Sequence, residues 1–380
     1  MSPTARHTLL LASLAWLVLP LAAGAATWEV GPGQSIQQAL TRTKPGDVVR
    51  VQGLHRENVR MLADVVLEGL PGGVIEGEKG PAVTMEGIQG WSVRNLTLRA
   101  RGLETGSGVV EVNSARGELR DCTVAGDGNG IVVRGSASPT LVHNTCVKPH
   151  PPADGGGIGI VYLGTAGGVA RDNRCQDHSS GIAVLNSASP LLIRNTCVRN
   201  RVSGMAYLEN AGGVARDNVC TGNKVGIGVQ GSSKPKLSRN PCRKNSLQGI
   251  LVAGKSAPEL LQNLCEGNHQ CGIAFVGESS GRARQNTCTR NRFDGISVLG
   301  AAAPDLLHNT CDENGLSGIH FFQQARGEAR ENVCRKNARA GIVVGDRAKP
   351  VLLNNTGEHD GHPATPSVKV SPTRKAGMKA

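Results

Sequence analysis

The chain has 380 residues, of which 51 are glycine and only 2% are aromatic, and its formal net charge is +12. So many glycines with so few aromatic rings predict narrow turns and thin packing, and they argue against a bulky globular core. The positive charge is compatible with a polyanionic partner, and equally with a basic protein that has no specific partner.

Residues 1–25 have the pattern of a secretory signal. Arg6 precedes an apolar run over residues 9–19, and the small residues 23–25 form a cleavage pattern. We therefore expect a periplasmic or secreted protein. No second apolar run of spanning length follows, so we expect no transmembrane segment.

Residues 26–60 are predicted to form an N-terminal cap and the first strands. Ser35 and Gln38 have the spacing of a capping box, which marks the start of a helix. The turn sequence of residues 45–47 then closes the segment. A short amphipathic helix here would cover one end of the fold.

Residues 61–356 carry a repeat. An Asn-x-Cys signal recurs from Asn144 to Asn332 in steps of 22 or 23 residues, apart from a first step of 29, and a Gly-Ile or Gly-Met pair keeps pace with it. Short β-branched segments between Gly, Asn and Pro turns predict a parallel β-solenoid of about twelve coils with three sheets. We expect the Asn before each Cys to adopt a left-handed conformation, and residues 357–380 to form a disordered tail.

Three positions in the repeat change together. Coils with Val at the fourth position of the "GIxV" pattern carry Pro and Leu later in the coil, whereas coils with an aromatic residue there carry Gly and Ala. Because a solenoid has one narrow and densely packed cross-section, a ring on one sheet should replace a Leu on another. Duplication of whole coils would preserve the same sets. The aromatic sets are Tyr162/Gly168/Ala170, Tyr207/Gly213/Ala215, Phe275/Gly281/Ala283 and Phe321/Gly327/Ala329.

Eleven cysteines in an exported chain would ordinarily indicate disulfides. Ten of them, from Cys122 to Cys334, occupy equivalent positions in the repeat, so we predict an inward stack of free thiols; disulfides or a tower of metal sites are the alternatives. Cys271 is outside this series and could bind a soft metal with Cys265 and His269, although an ordinary loop residue is the favoured interpretation. We predict no metal and no other cofactor.

Basic residues accumulate between each Cys and the next Gly-Ile pair. Stacking of the coils would bring them into one net positive edge, interrupted by acids that include Asp294. A second Arg series, at residues 171, 216, 284 and 330, is expected to make structural ladder contacts. A merely solvated edge is the alternative to a polyanion-binding one. The candidate binding residues, hereafter the basic edge, are Arg199, Arg201, Lys224, Arg243, Lys244, Arg290, Arg292, Arg335 and Lys336.

The segment "SIQQALTRTKPGDVVRVQGLHRENVRM", followed by "NxC…NxxGIxV" coils, resembles the right-handed parallel β-helix repeat proteins of the pectin-lyase-like superfamily. The resemblance covers roughly residues 28–356. It implies the fold, but the superfamily includes lyases, hydrolases, esterases, epimerases and non-catalytic members. In its enzymes, catalytic groups usually project outward from the first sheet. Here the predicted outward columns beside the Gly-Ile strands offer only His320, with no carboxylate and no Lys.

We therefore predict an exported, non-catalytic binder of anionic polysaccharide or lipopolysaccharide, with no nucleic-acid partner and an oligomeric state left open. The alternative is a polysaccharide lyase or epimerase whose site lies in the extra loop of residues 148–157, which contains His150 and Asp154. A metal-handling factor is a third possibility without a matching ligand cluster. Phe293, Phe322, Trp28 and Trp91 remain to stack on a sugar ring, since the other Phe and Tyr residues are assigned to the core.

Overall fold

The computed structural model describes residues 24–148 and 156–357. The apolar run of the predicted signal, the predicted disordered tail after residue 357, and His150 and Asp154 of the extra loop lie outside these residues. Within the described residues, no helix is both long enough and apolar enough to cross a membrane.

The described residues form three parallel sheets that share one chain path, so that each coil passes through sheet A, then sheet B, then sheet C. Sheet A contains the strands that precede each Asn-x-Cys signal, sheet B contains the Cys strands, and sheet C contains the Gly-Ile strands. Because every strand pairs with its equivalent one coil away, all pairings are parallel and close to in register.

The strands of sheet A are β1 (Thr27–Val30), β2 (Val48–Val51), β5 (Val66–Gly69), β8 (Gln89–Arg94), β11 (Arg116–Arg120), β14 (Thr140–Val142), β17 (Val169–Arg171), β20 (Leu191–Ile193), β23 (Val214–Arg216), β26 (Lys236–Ser238), β29 (Glu259–Leu261), β32 (Arg282–Arg284), β35 (Asp305–Leu307), β38 (Glu328–Arg330) and β41 (Val351–Leu353).

The strands of sheet B are β3 (Leu54–Arg56), β6 (Val74–Glu78), β9 (Thr97–Arg101), β12 (Thr123–Gly126), β15 (Thr145–Val147), β18 (Arg174–Gln176), β21 (Thr196–Val198), β24 (Val219–Thr221), β27 (Pro241–Arg243), β30 (Leu264–Glu266), β33 (Thr287–Thr289), β36 (Thr310–Asp312), β39 (Val333–Cys334) and β42 (Thr356–Gly357).

The strands of sheet C are β4 (Val59–Arg60), β7 (Val83–Glu86), β10 (Gly108–Asn113), β13 (Asn129–Arg134), β16 (Ile158–Tyr162), β19 (Ser180–Val184), β22 (Ser203–Tyr207), β25 (Val225–Val229), β28 (Ile250–Val252), β31 (Ile273–Phe275), β34 (Ile296–Val298), β37 (Ser317–Phe321) and β40 (Ala340–Val344).

The predicted all-β solenoid is confirmed, but the number of coils is about fourteen in the described residues rather than about twelve. The difference comes from the first part of the chain. Strands β1 to β12 continue the same three sheets, with one register shift between β8 and β11, although they carry neither the Asn-x-Cys signal nor the Gly-Ile pair. A count based on those letters therefore misses early coils.

One helix, α1 (Ile36–Leu40), caps the first coil. Ser35 is its N-cap, and the Ser35 hydroxyl accepts a hydrogen bond from the Gln38 backbone at 3.2 Å. The Glu57 carboxylate, from the following coil, accepts from the backbone N–H of Ile36 at 2.7 Å. Ile36 and Leu40 are fully buried, so the helix closes the hydrophobic interior at this end.

The conformation expected for the repeating Asn was wrong, because the left-handed residue is the one before it. His143, Asp172 and Arg194 have φ between 49° and 59°. That bend turns the next side chain inward, where the Asn is buried. The same left-handed residue precedes each member of the ladder Asn144, Asn173, Asn195, Asn218, Asn240, Asn263, Asn286, Asn309, Asn332 and Asn355, of which the last is partly exposed.

Each Asn in this ladder satisfies backbone groups of its neighbours. The Asn195 side-chain amide donates to Ala170 O at 2.8 Å and to Asn218 Oδ1 at 3.0 Å. Its Oδ1 accepts from the Asn173 backbone at 3.1 Å. A second ladder follows the Cys strands and comprises Asn200, Asn223, Asn245, Asn268, Asn291, Asn314 and Asn337. Since buried polar groups must be paired, the two ladders hold the turns at both ends of sheet B.

The predicted cysteine stack runs inside sheet B from Cys146 to Cys334. All eleven cysteines of the chain are buried and free of disulfides. Burial raises the pKa of the thiols of Cys265 and Cys311 well above the usual value. Cys122 is not part of the stack, contrary to expectation. Its backbone N–H donates to Asn144 Oδ1 at 3.1 Å, and Val124 pairs with Cys146. Cys122 therefore takes the first position of the Asn ladder instead.

The linked triplets occupy two interior columns. In one column Tyr207 follows Val184, and in the other Ala215 follows Leu192, so that large and small residues alternate in opposite phase. All four side chains are fully buried. The rings thus fill interior space where the opposite column is narrow, which is consistent with exchange of volume within one cross-section.

The glycines of the aromatic coils have a separate role in the backbone. Gly168, Gly213, Gly281 and Gly327 have φ of 90° to 105°, which proline cannot adopt. A Cβ at Gly213 would lie 2.3 Å from the carbonyl oxygen of Pro190 in the preceding coil, and the other three glycines meet a proline in the same way. The Gly coil therefore packs directly onto a Pro coil.

Candidate functional site: a basic edge and an Asp–His pair on sheet C

The nine residues of the basic edge are exposed and lie where the chain passes from sheet B to sheet C. They occupy three positions of the coil. Arg243 and Arg335 point outward at the end of the Cys strand or just after it. The next position, which has positive φ, holds Arg199, Lys244, Arg290 and Lys336. The position after the buried Asn holds Arg201, Lys224 and Arg292.

Three of these cations are engaged in ion pairs. Arg199 pairs with Asp177 at 2.9 Å, and Arg243 pairs with Glu266 at 3.0 Å. Arg290 contacts the same Glu266, whose pKa it lowers. The three Arg side chains are about half exposed to solvent, so each pair contributes little to stability. The pairs do, however, reduce the charge that this part of the edge presents.

Among the described residues, five further cations of the basic edge have no ion pair. Along the coils the rise is about 4.8 Å, so they form a discontinuous row of positive charge on one side of the solenoid. The second Arg series behaves as expected, since Arg171, Arg216, Arg284 and Arg330 all contact carboxylates on sheet A. Within residues 24–148 and 156–357, the cations of the basic edge without an ion pair are Lys224, Lys244, Arg292, Arg335 and Lys336.

Asp294 was assigned to the edge, but the structure places it beside sheet C. Its carbonyl accepts from Gly272 in the backbone ladder, and its side chain is only 7% exposed. The carboxylate accepts from Ser297 Oγ at 2.7 Å and from the Ser317 backbone at 3.0 Å. His320 Nδ1 lies 3.4 Å from the same carboxylate. The outer face of sheet C therefore does carry a carboxylate, and it contacts the histidine.

The Asp294 carboxylate is held in its charged form. Burial raises its pKa, but the hydrogen bonds from His320, Ser297 and Ser317 outweigh burial, so the pKa lies below its usual value. An ionised acceptor beside Nδ1 favours the imidazole tautomer with its proton on Nδ1. His320 Nε2 is then able to accept a proton from another group.

Cys271 belongs to this cluster rather than to a metal site. Its thiol contacts Ser297 Oγ at 3.2 Å, and burial raises its pKa to about 11. Cys265 points into the solenoid whereas His269 is exposed, so the three proposed ligands do not converge. Within the described ranges no group of three or more His, Cys, Asp or Glu side chains could hold a metal ion.

Two of the four aromatic residues expected outside the core lie near the same cluster, and two do not. Trp91 is buried, and the Trp28 indole donates to Asp47 at 3.1 Å. Phe293 is 41% exposed and directly precedes Asp294. The Phe322 ring lies 5.5 Å from the imidazole of His320, measured between ring centroids.

The outer face of sheet C is apolar towards the start of the repeat. Val132, Val161, Ala183 and Ala206 form a cluster separate from the interior, bordered by partly buried residues that include Leu185. Small and apolar side chains were expected there. The polar cluster was missed because the residue before each Gly-Ile pair was read as loop, although Ser180, Ser203 and Ser317 are strand residues of sheet C. The polar residues next to the Gly-Ile pairs in "FDGIS" and "LSGIH" are the sequence feature that could have indicated this cluster.

Comparison with known proteins supports the fold. The sequence matches the family described as right handed beta helix region over residues 81–241 and 248–365. No curated protein sequence matches significantly.

Among solved structures, a periplasmic alginate epimerase, AlgG, is similar with a TM-score of 0.56 and 14% identity, covering 86% of this chain and 83% of that one. The Dettilon tailspike protein gp208 gives the same TM-score and identity, covering 83% of this chain and 68% of that one. At these identities the likeness shows the fold alone. The family match extends over more than half of the chain, and the chain therefore belongs to the right-handed β-helix family.

Proposed function

We propose that this protein is exported and binds an anionic polysaccharide or envelope glycan along the basic edge. The proposal rests on a row of exposed cations that have no ion pair with the part of the chain that the structure describes, namely Lys224, Lys244, Arg292, Arg335 and Lys336. Like charges on one side of a rod attract an extended polyanion more strongly than scattered charges do.

The arrangement of these cations supports a linear ligand. They lie on several coils of one edge, with a rise of about 4.8 Å per coil, which is close to the length of one sugar residue in an extended glycan. Uronate carboxylates or lipopolysaccharide phosphates could then contact successive coils. One of the solved structures of similar fold is a periplasmic alginate epimerase, which is compatible with a polysaccharide ligand.

Binding of alginate, polygalacturonate and lipopolysaccharide to the purified protein tests the proposal by calorimetry. We expect affinity to fall steeply between about 50 and 200 mM salt, because several exposed contacts are screened together. Serine substitutions at Lys224, Lys244, Arg292 and Lys336 should remove most of the affinity and most of its salt dependence.

The matched control changes Arg171, Arg216, Arg284 and Arg330 to Ser, which removes the same charge from sheet A. This variant should weaken binding less, because those guanidinium groups already contact carboxylates. Failure of all three polymers to bind the unmodified protein at low salt would overturn the proposal.

A second candidate function, a polysaccharide lyase or epimerase, is favoured by the contact between Asp294 and His320. An imidazole oriented by a carboxylate is a suitable general base. It could remove the proton next to a uronate carboxylate. Return of a proton to the opposite face gives the epimer, whereas departure of the glycosidic oxygen gives an unsaturated end.

Both products can be measured on alginate and polygalacturonate. Epimerisation changes the ratio of uronate epimers and incorporates deuterium from heavy water, and elimination creates ultraviolet-absorbing unsaturated ends. His320→Gln should abolish either activity while leaving binding along the basic edge intact. Absence of both products with the unmodified protein rejects this second candidate.

A further inference from the structure

A column of outward side chains on sheet C ends at a glycine. Backbone hydrogen bonds place one residue of each coil at this position, directly after the last inward residue of the Gly-Ile strand. Nearly all members are apolar, and Gly345 in the last coil is the first without a side chain. The members are Leu163, Leu185, Leu208, Gln230, Ala253, Val276, Leu299, Phe322 and Gly345.

Gly345 places no side chain over two groups of the preceding coil, although Val343 pairs with His320 on the adjoining strand. A Cβ at this position would lie 3.2 Å from Cδ2 of the Phe322 ring and 3.8 Å from Nε2 of His320. A leucine, as at position 299, would therefore cover both. The backbone of Gly345 does not have positive φ, so its conformation does not require glycine.

These two groups differ in chemistry, and the orientation of His320 is fixed. Phe322 presents an aromatic ring, and His320 presents Nε2 because Asp294 contacts its other ring nitrogen at 3.4 Å. Asp294 is fixed in turn by Ser297 and by the backbone of Ser317. The gap thus pairs a flat apolar surface with one oriented polar atom.

We propose that Phe322, His320 and the gap at Gly345 form a binding site for a single sugar ring. The C–H face of a pyranose packs on an aromatic ring, and a hydroxyl or carboxylate of the same sugar would contact His320 Nε2. This site rests on the proposed function, since its ligand is a unit of the same anionic glycan. It adds a contact that does not depend on the basic edge.

The test uses short alginate and polygalacturonate oligosaccharides at about 200 mM salt, where the exposed charges of the basic edge are screened. Gly345→Leu installs the residue found at four other positions of this column, so it should fold normally and cover the site. We expect its affinity for the oligosaccharides to fall at least about tenfold. Ala253→Leu adds the same side chain to the same column far from the site and should bind like the unmodified protein.

Phe322→Leu is the second variant, because it removes the ring yet keeps an apolar side chain of the kind present at Leu299. If Gly345→Leu changes the circular dichroism spectrum, the affinity of Phe322→Leu becomes the test of the sugar site. Normal oligosaccharide affinity in whichever variant folds rejects the sugar site. Glycan binding along the basic edge is tested separately, by whether the long polymers bind the unmodified protein at low salt.

Discussion

The buried residue His178 shows that the interior of the turn requires an uncharged side chain. His178 stands where the second ladder has Asn in later coils, and its backbone N–H donates to Asn200 Oδ1 at 3.2 Å. Its Nδ1 lies 2.8 Å from the carbonyl oxygen of Gln176. Burial, and then the charge of Lys148, lower the pKa of His178 to about 4. The neutral imidazole is therefore the form that the fold accepts.

This pKa predicts a specific loss of stability in acid. Because the folded pKa is below the ordinary value of 6.5, the contribution of neutral His178 is complete above pH 6.5. As the pH falls from 6.5 to about 4, the unfolded chain takes up the proton first, and roughly 2–3 kcal/mol of stability is lost. His178→Asn would extend the ladder and should lack this loss.

Urea unfolding of both proteins at pH 7 and pH 4.5 measures the difference. The carboxylates titrate alike in both, so the gap between the two unfolding midpoints isolates residue 178. We expect the gap to widen in acid, with the Asn variant more stable. Parallel pH profiles would contradict a buried neutral histidine.

Residue identity predicted the side-chain environment better than the backbone conformation. The inward Cys stack followed from its regular spacing. The left-handed position did not, because residues as different as His143, Arg194 and Gln262 occupy it. Asn can stabilise a turn either by adopting a left-handed backbone conformation or through hydrogen bonds of its side chain. The sequence alone does not distinguish these two roles.

At the scale of the strand and coil, volume and backbone change together. An aromatic coil combines a ring, a narrow opposite column and a glycine of positive φ that packs onto proline. We predict that Tyr207→Val costs roughly 2–4 kcal/mol through the cavity it leaves. Adding Ala215→Leu should recover part of this loss, because both side chains belong to one cross-section.

The control for this cycle uses the same leucine in another aromatic coil. Ala170→Leu combined with Tyr207→Val should give no recovery, since Tyr162 still fills the coil that contains Ala170. Denaturant unfolding of the single and double variants supplies the coupling energy. Strictly additive losses for Tyr207→Val and Ala215→Leu would favour simple coil duplication over volume exchange.

Element bounds explain what sequence analysis found and missed at the candidate site. The basic edge was predicted as residues of the turn after each Cys strand, and its members do lie there. Asp294 was placed among them because "FDGIS" reads as a loop followed by a strand. The pairing of sheet C begins earlier than the apolar residues suggest, so a residue before Gly can face the outer surface. Contact between Asp294 and His320 also joins coils that are 26 residues apart.

For the whole molecule, about fourteen coils with a rise of about 4.8 Å predict a rod on the order of 60–70 Å long. Small-angle scattering of the monomer should therefore give a pair-distance distribution with an extended tail, together with a β-type circular dichroism spectrum. A compact, nearly spherical particle or a strong helical signal would be incompatible with this architecture.

The packing of each Gly coil onto a Pro coil limits which coils can be deleted from or inserted into this chain. The two Pro coils around Val229 and Val252 are adjacent, so removal of one leaves the coil of Phe275 still following a proline. Removal of the Pro coil around Val184 would instead place one aromatic coil directly on another. Insertions and deletions of coils should therefore be tolerated only where they preserve both the repeat length and a Pro coil before each Gly coil.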